Sequence, residues 1–437
     1  MTSYGKCARL LLLALATGCG SAERVDTAAS TAAPEGRYLF VFAGDGDATQ
    51  MLMSGGHAHG AASPDSARDP DFLAVIDIDT SSATYAQVVS TAPLAGYATV
   101  PHHTELEMPR DGNTLIGNGY AAGRAYMFDL GDAMKPRVAG MFDTLPELRR
   151  PHSFARLADS TVLSTMQFGD TRTKGRAGGL VRYSPDGRIL RRASAVDSSF
   201  GDAAIRTYSL DVAERTDRVL TTSSPMDDER TADVMQLWRL SDLTLLRTLA
   251  VPKTSADTMW HYPFETRFMP DGRSAFMNTY YCAFYALTGL DGPSPAIDRV
   301  LALDFPRQTA CGVPLVVGHW WIMPVSSSRE FVVLDIRDIK RPRVASTLVA
   351  DSTFTPHWLA RDPAGSRIVA TTEAPRPAVR LLVFDSTSGR LAWDEKFRER
   401  ADGPLGVSFD RAAWPHGASG AALPHGAVFS RRTSRPH

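Results

Sequence analysis

Residues 331–349 read FVVLDIRDIKRPRVASTLV: an apolar strand ending near an acid, a polar turn, and a second strand returning. The same unit recurs along the chain. FLAVIDIDTSSATYAQVV starts at Phe72 and RAYMFDLGDAMKPRVAGMF at Arg124. GLVRYSPDGRILRRAS follows from Gly179, MQLWRLSDLTLLRTLAV from Met235, CAFYALTGL with RVLALDF from Cys282, and RLLVFDSTSGRLAWDEKF from Arg380. With Asp77, Asp129, Tyr183, Arg239, Leu287, Asp335 and Asp385 taken as equivalent points, the steps are 52, 54, 56, 48, 48 and 50 residues. Seven β units at a near-constant step of about 50 residues lie in the range of β-propeller blades.

Between these units lie further strand pairs with tight-turn punctuation, such as FETRFMPDGRSAFMN from Phe264 and WLARDPAGSRIVATTE from Trp358. Pro-Asp-Gly and Pro-Ala-Gly suit hairpin turns, so each step holds four strands. The expected fold is all-β: a seven-bladed β-propeller with four-stranded blades over residues 37–430. This settles a size problem, because a single closed core stops growing near about 250–300 residues and the chain has 437. Blades bury their faces against neighbours and need no one thick core. The short GRYLFVFAGDG from Gly36 is expected to complete the last blade as an added strand.

The chain starts with Lys6 and Arg9, an apolar stretch from Leu10 to Ala16, then Thr17-Gly18-Cys19. A charged start, a short apolar core and small residues are the pattern of a secretory signal peptide, here residues 1–18. Small residues before a cysteine read as a lipobox, with lipid on Cys19 and residues 19–36, rich in Ala, Ser and Thr, as a flexible tether. The expectation is an exported bacterial lipoprotein that faces the periplasm or exterior and meets the membrane through its lipid anchor only. The basic end, residues 431–437, reads as a disordered tail. Net charge is −1 with 22% charged residues, which leaves no basic excess for nucleic acid. Beyond Cys19 only Cys282 and Cys311 remain, an even pair that in an oxidising compartment suggests one disulfide; a copper or zinc thiolate pair is the alternative.

Histidines recur at one phase of the repeat, just before the first strand of a blade. They are His102 and His103 in VPHHTEL, His152 in RPHSFARL, His261 in WHYPFETRF, His357 in TPHWLAR and His425 in LPHGAVF. First strands line the channel of a propeller, so equivalent positions there converge although they stand some 50 residues apart. A ring of neutral imidazoles is a natural site for copper, with iron or zinc as alternatives. Occupancy should fall below about pH 6.5, the ordinary histidine value. Glu265, four residues after His261, falls on the same face by the two-residue strand period, as a base, a ligand-orienting group or a partner of Arg267. Glu105 raises the same question. His416 could stand in for His425, His319 reads as structural, and His57, His59 and His437 as solvated. No G-x-S-x-G, P-loop or dinucleotide fingerprint occurs; GNGYAAG from Gly117 opens no helix.

From about Pro70 to Phe429 the order PDFLAVIDID, VPHHTEL, RAYMFDLGDAMKPRVAG, RPHSFARL, PFETRF, FVVLDIRDIKRPRVAS, PHGAVF resembles the selenium-binding protein family, which includes the methanethiol oxidases. The resemblance implies a seven-bladed propeller and, for methanethiol oxidases, histidine-held copper that serves oxidation of a small thiol by oxygen and water to aldehyde, sulfide and peroxide. By position it carries over His102, His103, His152 and His425. Two features depart from it. No cysteine lies between Cys19 and Cys282 to match the selenium site, and His425 is followed by Gly426 where the family tends to have an acid. A reading of a different class is a non-catalytic envelope propeller that binds a ligand, metal or protein partner, its histidines only packing the channel.

Overall fold

The structure is a computed structural model that describes residues 37–46, 69–142, 145–169, 177–200, 204–226, 232–253, 261–303, 310–363, 365–372 and 376–431. The expected signal peptide, tether, lipidated Cys19, His57, His59 and, apart from Arg431, the basic tail lie outside them. Seven antiparallel sheets of four principal strands make a seven-bladed propeller. Two short 3-10 turns, Ser198–Phe200 and Glu214–Thr216, stand among the strands. No helix among the described residues is long and apolar enough to cross a membrane.

Blades 2 to 7 each run in chain order from an inner strand to an outer one. Their inner strands are Pro101–Thr104, Leu148–Arg156, Thr207–Ala213, Pro263–Phe268, Leu315–Val317 and Trp358–Arg361. Blade 1 closes the ring. GRYLFVFAGDG does complete a blade, as an integral second strand: Tyr38–Asp45 pairs with Phe72–Asp77 outside and with the C-terminal strand Gly420–Phe429 inside. Three N-terminal strands and one C-terminal strand thus share a sheet. The first and last described strands then lie in hydrogen-bonded ladders, which leaves no open junction in the ring.

The core is not one mass but seven. Each apolar cluster lies between two neighbouring blades, and every one of the seven junctions has its own. Strand alternation explains this. Leu39, Val41 and Ala43 face blade 7, while Phe40 and Phe42 face blade 2, because successive side chains point to opposite faces. A strand buried on both faces reads as a continuous apolar run, as in LFVFA or FLAVI.

Blades are also stitched by polar side chains near their inner strands. Asn118 Nδ2 donates to the Pro151 carbonyl of the next blade at 2.8 Å, Thr165 Oγ1 to that of Tyr208 at 2.7 Å, and Thr222 Oγ1 to that of Phe264 at 2.7 Å. Ser326 Oγ donates to Pro356 at 2.8 Å, and Thr371 Oγ1 to His425 at 2.9 Å. A buried carbonyl left without a partner costs about 1–3 kcal/mol, so these donors account for buried Asn and Thr in an otherwise apolar interior.

Cys282, in the turn between the second and third strands of blade 5, forms a disulfide with Cys311, just ahead of the inner strand of blade 6; their Cα atoms are 5.4 Å apart. The bridge ties the two blades across the strand that connects them. Replacing both cysteines with alanine should lower the unfolding free energy by about 2–4 kcal/mol, read from urea denaturation of oxidised protein. An unchanged midpoint would show that the bridge adds no stability.

Candidate functional site

Five inner strands do not run straight. On blade 2, Pro101 pairs with Gly119 and Thr104 with Gly117, so three steps on one strand oppose two on the other. The same one-residue bulge lies between Pro151 and Phe154, Thr207 and Leu210, Pro263 and Glu265, and Pro424 and Ala427. Bulges re-aim side chains, and three of these five hold histidines: His102 and His103, His152, and His425. Three of the strands have a residue in the left-handed region just before a proline: Val100 (φ 57°) and Tyr262 (φ 47°) at the entry, and Arg150 (φ 57°) within Leu148–Arg156. Non-glycine residues held there cost about 1–3 kcal/mol each, strain that the packed ring has to offset.

The result is a histidine cluster on the axis. His102, His103 and His152 each bring a ring nitrogen to within 4.8 Å of the others, and all three are buried. The neighbouring rings of His102 and His103 stack at 4.5 Å, which a regular strand would have placed on opposite faces. His425 joins with its ring 3.9 Å from that of His102, and His357 lies 4.6 Å from His425. Gly426 explains the missing acid. A Cβ there would come within 2.6 Å of Thr104 N and 2.8 Å of the His102 carbonyl, so the contact between blades 1 and 2 admits only glycine.

His152 shows the proton arrangement most clearly. Its Nδ1 lies 3.0 Å from the Tyr208 carbonyl, which only accepts, so Nδ1–H donates and the lone pair rests on Nε2. Nε2 has no hydrogen-bond partner, and neither do His103 Nε2 or both nitrogens of His102. His103 Nδ1 meets Ser153 Oγ at 3.1 Å. Buried imidazole nitrogens without partners cost free energy unless an ion takes their lone pairs.

Burial also sets their charge. It pushes His102 and His103 well below the ordinary histidine value, and the surrounding imidazoles add to the effect. His425 shifts the same way for the same causes; burial takes His152 down to about 3 and His357 to about 4. The pH 6.5 expected for proton competition therefore moves down, because a cation is far costlier in this interior than in water.

The structure brings together five of the six expected histidines. His261 stands apart: its Nδ1 meets Tyr285 Oη at 3.0 Å, its backbone N–H donates to Asp233, and no ring contact joins it to the cluster among the described residues. The strand-period argument for Glu265 fails for the same local reason, since left-handed Tyr262 and the bulge break the alternation between them. Glu265 Oε2 accepts from Ser209 Oγ at 2.7 Å and from Arg267 Nη1 at 2.7 Å. Glu105 is held by both Nε and Nη2 of Arg156, at 2.8 and 3.0 Å. His416 packs on Phe72 and Thr91 in blade 1, and His319 lies beside Arg337 and Trp320.

Sequence reasoning missed Tyr208, whose ring lies 3.9 Å from that of His152 and 4.6 Å from that of Phe264. It stands 56 residues after His152, one blade step, so the repeat itself held the signal.

The fold and cluster define a seven-bladed propeller with a buried polyhistidine centre on its axis. No family model matches the chain, and no curated protein matches it. Among solved structures it is similar to a hypothetical selenium-binding protein from Sulfolobus tokodaii, with 14% identity over 93% of this chain and 96% of that one, TM-score 0.71. It is also similar to the periplasmic gluconolactonase of Pseudomonas aeruginosa (12% identity, 89% of this chain and 98% of that one, TM-score 0.57). A 6-phosphogluconolactonase-like structure from Bacteroides fragilis gives 11% identity, 92% and 99% coverage and TM-score 0.59. At these identities the likeness is one of fold.

Depressed histidines make stability depend on pH. Below pH 6.5 the unfolded chain takes up a proton at residue 152 that the folded chain refuses until about pH 3. Stability therefore falls as pH drops through that window, by about 1.4 kcal/mol per pH unit and histidine once the unfolded form is protonated. In chelator, the His152→Asn variant should lose less stability than the parent between pH 6 and pH 5, measured by urea unfolding. Parallel losses would mean that His152 takes up its proton in the folded state.

Proposed function

We propose that the chain is an exported, copper-dependent oxidoreductase of the methanethiol oxidase type, akin to the selenium-binding protein family, acting on a small thiol or related sulfur compound. The observation that carries this reading is the convergence of His102, His103 and His152, three buried histidines with partnerless nitrogens. Their fit to a soft or borderline metal rests on the donor set: neutral imidazoles suit copper, and iron or zinc as well. The sequence resemblance favours copper, and the fold likeness to a hypothetical selenium-binding protein agrees with it.

Bound copper would supply thiolate binding and electron transfer to oxygen. The protein's own part is preorganisation. The bulges aim nitrogens from two blades at one point, and the Tyr208 carbonyl fixes the His152 tautomer. Burial holds the imidazoles neutral, ready as ligands, and excludes bulk water from a reactive thiol. Glu265 acts here as a positioning residue that orients Arg267 and the Ser209 strand. The net reaction balances as thiol, oxygen and water going to aldehyde, sulfide and hydrogen peroxide, the thiol carbon giving up the two electrons that oxygen accepts.

Metal analysis of purified protein is the direct test. Copper should be retained, and His103→Ala or His152→Ala should lower it by about tenfold or more. His416→Ala should leave it unchanged, since that ring packs in blade 1. Oxygen uptake on adding methanethiol, with sulfide and peroxide formed, should follow copper content across these variants. Protein that retains no metal would favour the non-catalytic reading. The export reading has its own test: Cys19→Ser should move the mature protein from the membrane to the soluble fraction, and continued sedimentation with membranes would overturn it.

A further inference from the structure

A cavity of about 460 Å³ takes its wall from all seven blades: Glu105 to Asp111, Phe154 to Ala158, Leu210 to Val212, Arg267, Pro314 to Val316, Leu359 and Arg431. Only the channel touches every blade, so the cavity lies on the axis. Its lining follows the histidines in sequence, Glu105 two residues after His103 and Phe154 two after His152. Inner strands of four-stranded blades all run the same way, so the cavity occupies the channel beyond the histidine layer, toward the strands' C-terminal ends.

The charges of the wall are nearly all engaged. Glu105 is clamped by Arg156, Glu107 accepts from Arg431 Nη2 at 3.1 Å, and Glu214 accepts from the Ala158 N–H at 2.9 Å. Asp211 accepts from the Phe268 and Val212 N–H groups at 2.6 and 2.9 Å. Two arginines keep a donor. Arg431 Nε is buried with no partner. The Arg267 side chain is 10% exposed, and its Nη1 donates to Glu265 and to the Thr266 carbonyl. Nη2 is buried with no partner. A guanidinium in that position has one directed, charge-assisted donor to give to an anionic oxygen. Much of the remaining wall is apolar, with Leu106, Phe154, Leu210, Leu315 and Leu359.

We infer that this axial cavity binds a small amphipathic carboxylate, its head on Arg267 Nη2 and its apolar body against the leucines and Phe154. The volume is that of a small-molecule site, and a directed donor beside apolar side chains, in a wall whose other charges are mostly paired, is how such a site can orient a ligand. The site needs no metal, although its anchor Arg267 is the residue that Glu265 orients.

The test uses the mature chain in chelator, so that loss of the copper reading would leave it intact. Butyrate, octanoate, benzoate and phenylacetate, each beside its neutral amide, are titrated by calorimetry to millimolar concentration. At least one carboxylate should bind saturably at one site, at least about tenfold tighter than its amide. Arg267→Gln should weaken that binding by about tenfold or more, and Leu315→Trp, at a partly open wall position, should abolish it by filling the cavity. No binding by any of the four acids, an amide that matches its acid, or binding unchanged in Leu315→Trp would each overturn the proposal. If Arg267→Gln does not fold, the amide comparison and Leu315→Trp decide.

Discussion

The pairing of Tyr38–Asp45 with Gly420–Phe429 is the constraint on which the rest of this molecule depends. A propeller blade has apolar residues on both faces, so a ring with one open junction would leave two such faces in water. Here the open faces would be those of blades 1 and 7, which share the largest apolar cluster, with Trp358, Phe397, Phe409 and Trp414. Closure also builds the site. It sets His425 beside His102, and it lets the Trp358 indole donate to the Ala427 carbonyl at 2.9 Å, which fixes blade 7 against blade 1 on the axis.

The ring pays for a costly centre. Buried imidazoles lacking partners, left-handed residues before prolines and interrupted ladders all oppose folding. What offsets them is local: each carbonyl displaced by a bulge is met by a side chain from the preceding blade, as Thr165 meets Tyr208 and Thr371 meets His425. The donors that satisfy the backbone also fix the bulges, and the bulges fix where the histidines point. The geometry of the site is thus held by hydrogen bonds one strand further out, as a preorganised centre requires.

Along the channel the chemistry changes abruptly. One layer holds neutral imidazoles with Tyr208 and Phe264; the next holds the Glu105–Arg156 and Glu265–Arg267 pairs. Charges buried in pairs keep their attraction for each other, and Arg267 still reaches the imidazole layer, where it adds to the effects that hold His103 neutral. The cavity opens on the charged layer, so an arriving molecule meets directed polar groups there before the apolar and imidazole interior.

Much of this was legible in the residues alone. The step of about 50 residues marked the blades, because strand, turn and apolar run are local properties, and six of the seven reference points fall at the last residue of a blade's third strand. The Pro-His recurrence marked five histidines that do meet. His261 was read from its phase in the repeat and Glu265 by a two-residue period from it, and neither can report a bulge or a left-handed residue, which arise where neighbouring blades compete for space. Nor could it show that Gly426 is forced by the Thr104 backbone, or that Arg267 keeps a donor over an axial cavity. Local patterning determined which strands form and in what order. Ring closure decided which side chains share the axis, because residues a blade apart in sequence touch only when all seven inner strands are drawn to one centre.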